Sequence, residues 1–295
     1  MRIICALLSL LLLFACKNND VNAQVKGELS QEMKSYWYNN DAELSSYDLV
    51  QARYGELRKG TAVLVYVTEP FSEKSFTKAN QASTNTISVL KLNFTKNFNT
   101  GIYPYSMMNS SFFPVNGNSS LKISSSTQEW CGHVYTEVKP VDKGFEVNIR
   151  SYFEGESIDK VTIKKVLLED DIWSIIRLNP NALPEGKLEV LPSLFYMRLA
   201  HKDLKIYRCE VSKKIDKQMI TYSMKYPELR RNLDITFENK FPYKILSWSE
   251  SYPDGYNNDA EILTTSGTLK KTIKIDYWNK NSNADLELRK DLGLD

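Results

Sequence analysis

The sequence predicts a mainly β fold of the α+β type, a large antiparallel meander with few helices. Aromatic residues are frequent, with 17 Tyr, 12 Phe and 5 Trp in 295 residues, and ring side chains pack well on a pleated sheet. Short runs with apolar residues at every second position recur between turn signals, which is typical of strands joined by hairpins. The meander forms either one curved sheet or two packed β-layers.

The N-terminal segment has the features of a secretory signal peptide. Arg2 gives it a basic start, and residues 3–14 are apolar except for Ser9, a run too short for the ~20 residues of a bilayer-spanning helix. The run ends in Leu13-Phe14-Ala15-Cys16, which resembles the lipobox cut by lipoprotein signal peptidase. The resemblance implies a diacylglycerol and an acyl chain such as palmitate on Cys16, which would hold the protein on a membrane.

The domain organisation follows from this segment. We expect residues 1–15 to be a removed signal peptide, residues 16–31 a polar tether, and residues 32–295 one β-rich globular region with a break between two sub-layers near residues 155–185. In enteric bacteria an aspartate directly after the acylated cysteine retains lipoproteins at the inner membrane. This chain has Lys17 at that position, so the outer membrane of the cell envelope is favoured. Loss of Arg2 lowers the formal net charge from +2 to +1, which gives no basic surface for nucleic acid.

The elements follow in chain order. Residues 30–38 form a short helix or an ordered end of the tether, and period-two patterns then predict strands at residues 47–54, 61–68, 87–94, 101–113, 121–126, 129–138 and 145–153. Residues 161–178 place apolar side chains near helical spacing and predict one prominent central helix that ends before Pro180, with Asp170 and Asp171 on its solvated side.

Strands return after the central helix, at residues 195–199, 204–212, 219–226, 233–237, 245–252 and 262–274. Residues 285–292 form a short C-terminal helix, with Asn283 or Asp285 as its N-cap and Gly293 at its end.

Two cysteines remain when Cys5 leaves with the signal peptide and Cys16 is acylated. An oxidising periplasm allows a disulfide between Cys131 and Cys209. We favour the alternative of two buried free thiols that act as small apolar side chains, because a domain of this size needs no covalent staple.

Several segments together resemble a family of lipoproteins from Bacteroidota, over most of the chain that follows the signal peptide. They are Ala52-Arg53-Tyr54-Gly55-Glu56, Val67-Thr68-Glu69-Pro70-Phe71, Val89-Leu90-Lys91-Leu92-Asn93, Phe98-Asn99-Thr100-Gly101-Ile102-Tyr103-Pro104-Tyr105-Ser106, Gln128-Glu129-Trp130-Cys131-Gly132-His133 and Asp276-Tyr277-Trp278-Asn279-Lys280-Asn281. Members often carry the label "septum formation inhibitor Maf". True Maf proteins are cytoplasmic nucleotide pyrophosphatases that open with a strand and a Ser/Pro/Arg-Arg phosphate loop, whereas this chain opens with a signal peptide. The resemblance therefore implies a lipoprotein without that activity.

The densest group of reactive side chains is Glu129, Cys131 and His133. On one strand these three side chains would share a face, with Trp130 opposite. Cys131 and His133 would then suit a nucleophile and its base, or a zinc site with His201 and Cys209. We favour a packed strand with a buried thiol, and so expect no metal and no cofactor.

A second group suggests binding. Tyr103, Tyr105, Phe112 and Phe113 cluster with two methionines, and on a curved sheet they would line an apolar or lipidic site. Packing in the core is the alternative that we favour. No Gly-rich phosphate loop, HExxH, GxSxG or CxxC is present in the sequence.

We therefore expect a non-enzymatic, lipid-anchored envelope protein that binds an apolar ligand or an envelope partner. The alternative is an envelope hydrolase or metal-binding protein centred on Glu129, Cys131 and His133. A Maf-like nucleotide pyrophosphatase ranks below both.

Overall fold

The computed structural model describes residues 29–255 and 260–294, and most of them lie in strands. The strands are β1 Ala42–Arg53, β2 Glu56–Ser72, β3 Thr77–Lys78, β4 Ile87–Thr100, β5 Tyr103–Pro114, β6 Ile123–Glu129, β7 Gly132–Val141, β8 Gly144–Ser151, β9 Ile158–Lys164, β10 Leu167–Leu168, β11 Gly186–Leu191, β12 Tyr207–Asp216, β13 Met219–Tyr226, β14 Arg231–Glu238, β15 Ile245–Pro253 and β16 Ile262–Ile275. The α-helices are α1 Gln31–Trp37, α2 Ile172–Leu178, α3 Leu194–Leu199 and α4 Glu287–Asp291. The mainly β prediction is confirmed. The signal segment, Cys16 and the tether up to residue 28 lie outside the described residues.

All sixteen strands belong to one sheet. Strands β1, β2 and β4 to β9 follow one another as an antiparallel meander, and β11 to β16 form a second meander. The two meet where β16 pairs with β1, so the sheet order runs from β10 through β16 and β1 to β9. The only parallel pair in the described sheet is β10 with β11. Of the two architectures left open by the sequence, the single sheet is the one formed.

The sheet is strongly curved, as contacts between distant strands show. Phe94 on β4 and Trp248 on β15 lie four strands apart in the sheet order, which is ~19 Å at the usual spacing in a flat sheet. Their ring centroids are 5.3 Å apart. Trp173 of α2 packs on both rings, at 5.0 and 5.5 Å, and Phe195 of α3 lies 5.5 Å from Phe94. The concave face therefore wraps around α2 and α3, whose side chains fill it.

The expected central helix over residues 161–178 is wrong in its first half. Residues 158–164 form the edge strand β9, which pairs with β8 from Gly144↔Lys164 to Ile149↔Ile158. Only Ile172–Leu178 is α-helical, after a 3₁₀ turn at Glu169–Asp171. Widely spaced apolar residues satisfy both periods over so short a run, and pairing with β8 decides the matter. The predicted end before Pro180 is confirmed.

Two shorter segments also differ from the prediction. Residues 194–199 form helix α3 instead of a strand, with the Ser193 hydroxyl accepting from the Phe195 amide as N-cap. At the C-terminus the N-cap is Ser282, which forms a capping box with Asp285, and Gly293 with φ +64° ends the helical segment as predicted. At the other end of the chain, α1 begins after the Ser30 N-cap, so the short-helix alternative is the one formed.

The sheet has two ends, which we call the entry end and the distal end. The entry end carries α1, through which the chain enters the sheet at β1. The distal end carries the hairpin turns β1–β2, β4–β5 and β6–β7 and the loop from β8 to β9. In the described ranges, no helix is both long and apolar enough to cross a membrane.

Candidate functional site

The Glu129, Cys131 and His133 group is divided by a turn. Glu129 ends β6 and pairs with Gly132, and Gln128 pairs with His133, so Trp130 and Cys131 form the two-residue link of a hairpin. Glu129 faces the concave side and is 7% exposed, while His133 lies on the outer face and is exposed. The expectation that the three side chains share a strand face is wrong, because reversal of the chain at residues 130–131 breaks the alternation.

Cys131 has an environment that opposes a nucleophilic role. It is exposed, and its amide donates to Glu129 Oε2 at 2.6 Å. A hydrogen bond between its thiol and the Glu129 carboxylate, together with the negative charge of that carboxylate, raises the pKa of Cys131. Catalytic cysteines need a lowered pKa and a positive neighbour, so this arrangement does not form a Cys–His nucleophile.

The residues of the alternative zinc site lie apart. Cys209 is buried on β12, and burial raises its pKa to about 12. His201 follows α3, where its Nδ1 lies 3.1 Å from Glu156 Oε1. Among residues 29–255 and 260–294, no three His, Cys, Asp or Glu side chains are grouped as metal ligands. Cys131 and Cys209 are both free, so the disulfide is not formed. The favoured expectation of two buried thiols is correct for Cys209 and wrong for Cys131, which is exposed.

Asp170 and Asp171 are buried, which corrects their expected solvation. Asp171 accepts hydrogen bonds from the Ser119 hydroxyl at 2.9 Å and from the Ser120 hydroxyl at 2.5 Å. Asp170 accepts from the Leu194 amide at 3.1 Å. Burial raises the pKa of Asp170 to about 6 and that of Asp171 to about 7. Both carboxyls tie the start of α2 to neighbouring segments, which is a structural role.

The aromatic candidates for a lipid site do not line one surface. Tyr105 and Phe113 are buried on the concave side, where the Tyr105 ring stacks on Phe98 at 4.9 Å. Phe112 points to the other face and Tyr103 is half-buried near the distal end. These residues therefore belong mainly to the packed core, in line with the alternative favoured from sequence.

A groove on the outer face of β4 to β7 has the size of a ligand site. Its volume is about 400 Å³, within the range of ~300–1,000 Å³ typical of small-molecule sites. Two rows of outward side chains cross the four strands and line it. The row nearer the distal end is Asn97, Ser106, Gln128 and His133, and the next is Thr95, Met108, Ser126 and Tyr135.

The groove is lined by uncharged side chains, with no Asp, Glu, Lys or Arg among the described residues that form it. Ser106 and Ser126 have short side chains on the two middle strands, so the floor lies close to the backbone. Met108 and Tyr135 are 42% and 40% exposed and give the groove two apolar surfaces. The Tyr135 hydroxyl donates to Glu137 Oε2 at 3.0 Å, and burial, with the Glu137 charge, raises the pKa of Tyr135 to about 12.

Sequence reasoning missed this groove, and of its lining residues it considered only His133 as a candidate for a named role, in catalysis or zinc binding. A signal exists, because Thr95 and Asn97, and Ser126 and Gln128, are polar at every second position of their strands. That signal locates the outer face of each strand. The alignment of four strands into rows depends on their register, which the polar pattern alone does not fix.

The comparisons with known proteins give no relative. No protein-family model, no curated protein and no solved structure matches this chain.

Proposed function

We propose that the protein is a lipid-anchored protein of the bacterial cell envelope that binds a small polar ligand without acting on it covalently. The observation that carries the binding role is the groove of about 400 Å³ on the outer face of β4 to β7. The signal segment and Cys16 support the anchor and favour the outer membrane. The division of Glu129 from His133 argues against the alternative hydrolase.

Two observations favour a polar ligand over the apolar or lipidic one expected from sequence. The concave face, where a lipid would lie in a curved sheet, is occupied by side chains of α2 and α3 such as Trp173 and Phe195. The groove instead offers hydroxyl, amide and imidazole groups, of which Asn97, Ser106, Gln128 and His133 are exposed.

The anchor is tested with the full-length chain in a bacterial host fed labelled palmitate. We expect label on the wild-type protein and its recovery in the membrane fraction. Cys16→Ser should lose both, because the acyl chains supply the binding to the bilayer. Cys131→Ser is the matched control and should keep both. Labelled, membrane-bound Cys16→Ser protein would refute the anchor.

The binding site is tested by the thermal unfolding of full-length protein in detergent with separate sets of neutral polar compounds, nucleotides and fatty acids. A ligand of the folded state raises Tm, and we expect this from neutral polar compounds. Ser106→Trp fills the floor of the groove and should abolish the shift. Asn232→Ala, an exposed outward residue of β14 far from the groove, should keep it. A shift produced by fatty acids and unchanged in Ser106→Trp would place the ligand elsewhere.

A further inference from the structure

We infer that the ligand of the outer groove is a neutral oligosaccharide. The inference rests on the proposed function, since it names the class of ligand for the same site. It follows from three properties of the groove: the charge of its lining, the pairing of its strands, and the spacing of its hydrogen-bonding and apolar groups.

The charge of the lining excludes most anionic and cationic ligands. Within residues 29–255 and 260–294, no lysine or arginine lines the groove, whereas nucleic acids and phosphate esters are held by such cations. Of the residues that the structure describes, no carboxylate lines it either, and the neighbouring Glu137 is already paired with Lys122 and Lys139. The groove therefore does not favour a cationic ligand. A ligand without formal charge matches these walls, because burying an unpaired charge there would cost free energy.

The pairing of the strands argues against a peptide. Extended peptides gain affinity by adding a strand to a free sheet edge. Strands β4, β5, β6 and β7 are each paired on both sides, so their backbone groups already bond to neighbouring strands. A ligand on this face can be held only by side chains, and the groove has no deep apolar pockets for peptide side chains, only the surfaces of Met108 and Tyr135.

The side chains in the groove match a chain of sugar rings. Within the described part of the chain, Asn97, Ser106 and Gln128 make no side-chain hydrogen bond to another residue. Their amides and hydroxyl both donate and accept, as ring hydroxyls require. The exposed Tyr135 ring offers an apolar face to sugar C–H groups. The rows extend over three strand spacings, ~14 Å, which is longer than a single sugar ring.

The test is isothermal titration of full-length protein in detergent with neutral linear oligosaccharides of glucose, mannose, galactose and N-acetylglucosamine, with sulfated oligosaccharides, and with a set of uncharged peptides. We expect one of the neutral oligosaccharides to bind. Asn97→Ala and Gln128→Ala should each weaken the Kd by about two- to tenfold, as the loss of one hydrogen bond predicts. Ser106→Trp should abolish binding, and Asn232→Ala should not change the Kd.

The outcomes separate the inference from the proposed function. Peptide or sulfated-glycan binding that is lost in Ser106→Trp would overturn the oligosaccharide and keep the groove as a ligand site. Oligosaccharide binding that is unchanged in all three groove variants would overturn both, as would the absence of binding by every compound. Far-UV circular dichroism and the Tm of each variant identify any loss of binding that is caused by misfolding. If Ser106→Trp fails to fold, Asn97→Ala still tests the site, because it changes one exposed side chain.

Discussion

Replacement of Arg177 by methionine tests how the concave side of the sheet is held together. Arg177 lies on α2 and is 1% exposed. Its Nη1 and Nη2 donate to Oε1 and Oε2 of Glu43 on β1 at 2.6 Å each, and its Nε donates to the Pro242 carbonyl at 2.9 Å. Glu43 also accepts from the Tyr36 hydroxyl on α1. One guanidinium therefore joins α2, β1, α1 and the β14–β15 connection.

The size of the effect follows from the burial of Glu43, which has no exposed surface. Burial raises the pKa of this carboxyl, but the charge and hydrogen bonds of Arg177 outweigh burial and hold the pKa below its usual value. Arg177→Met leaves the carboxylate buried without its cation, which costs about 3–5 kcal/mol in comparable cases. Glu43→Leu combined with Arg177→Met removes the unpaired charge and should recover most of that loss.

The assay is urea unfolding followed by tryptophan fluorescence, at about pH 7 and about pH 5. In the wild type the folded-state pKa of Glu43 is lowered. The stabilisation from its ion pair with Arg177 is therefore present above the unfolded pKa of ~4.3, and it is lost only as pH falls through the folded pKa. In Arg177→Met the unpaired Glu43 carboxyl has a raised pKa and takes up a proton on folding. The variant's loss of unfolding free energy relative to the wild type should therefore be smaller at about pH 5 than at about pH 7.

The matched control for this variant is Arg150→Met, because Arg150 forms an exposed ion pair with Asp159. Its loss should cost at most about 1 kcal/mol. Two results would contradict this role of the ion pair: Arg177→Met destabilising no more than Arg150→Met, or the double variant being as unstable as Arg177→Met alone.

Two further predictions concern buried titratable groups. Burial raises the pKa of Asp171 to about 7, so the folded state holds a proton that the unfolded chain releases. The free energy of unfolding should therefore fall as pH rises from about 4 to about 7. Asp171→Asn should flatten this slope in urea unfolding, and an unchanged slope would contradict the assigned burial. Iodoacetamide should modify the exposed Cys131 of the native protein well before the buried Cys209, as measured by peptide mapping. In denaturant, as the control, both thiols should be modified rapidly. Equal rates in the native protein would contradict the burial of Cys209.

Strands β13 to β16 were well predicted because their pattern is local. Residues 219–226 were predicted and observed as a strand without any shift, and alternation of apolar and polar side chains between turn signals sufficed. The pairing of β16 with β1 joins residues more than 200 positions apart, such as Leu49 and Gly267. No local pattern specifies that pairing, so the strand order of the single open sheet was not predictable from alternation.

The errors at Asp170, Asp171 and residues 129–133 arise from features that no local sequence pattern shows. Asp170 and Asp171 are charged in sequence and were assigned to solvent, but Ser119, Ser120 and the Leu194 amide supply hydrogen bonds that make burial tolerable. Those partners come from segments far along the chain. Likewise, the Trp130–Cys131 link carries no Gly, Asn or Asp in its two positions, so the usual hairpin signal is missing.

The groove and the proposed anchor lie towards different ends of the sheet. Asn97, Gln128 and His133 lie near the distal ends of their strands, whereas the chain enters the sheet through α1 at the entry end. From Cys16 to Leu29 a fully extended chain reaches at most about 45 Å. A lipid on Cys16 would therefore hold the entry end within that distance of the bilayer. The groove lies towards the opposite end of the sheet, on its outer face, where we expect the inferred oligosaccharide to reach it while the protein is anchored.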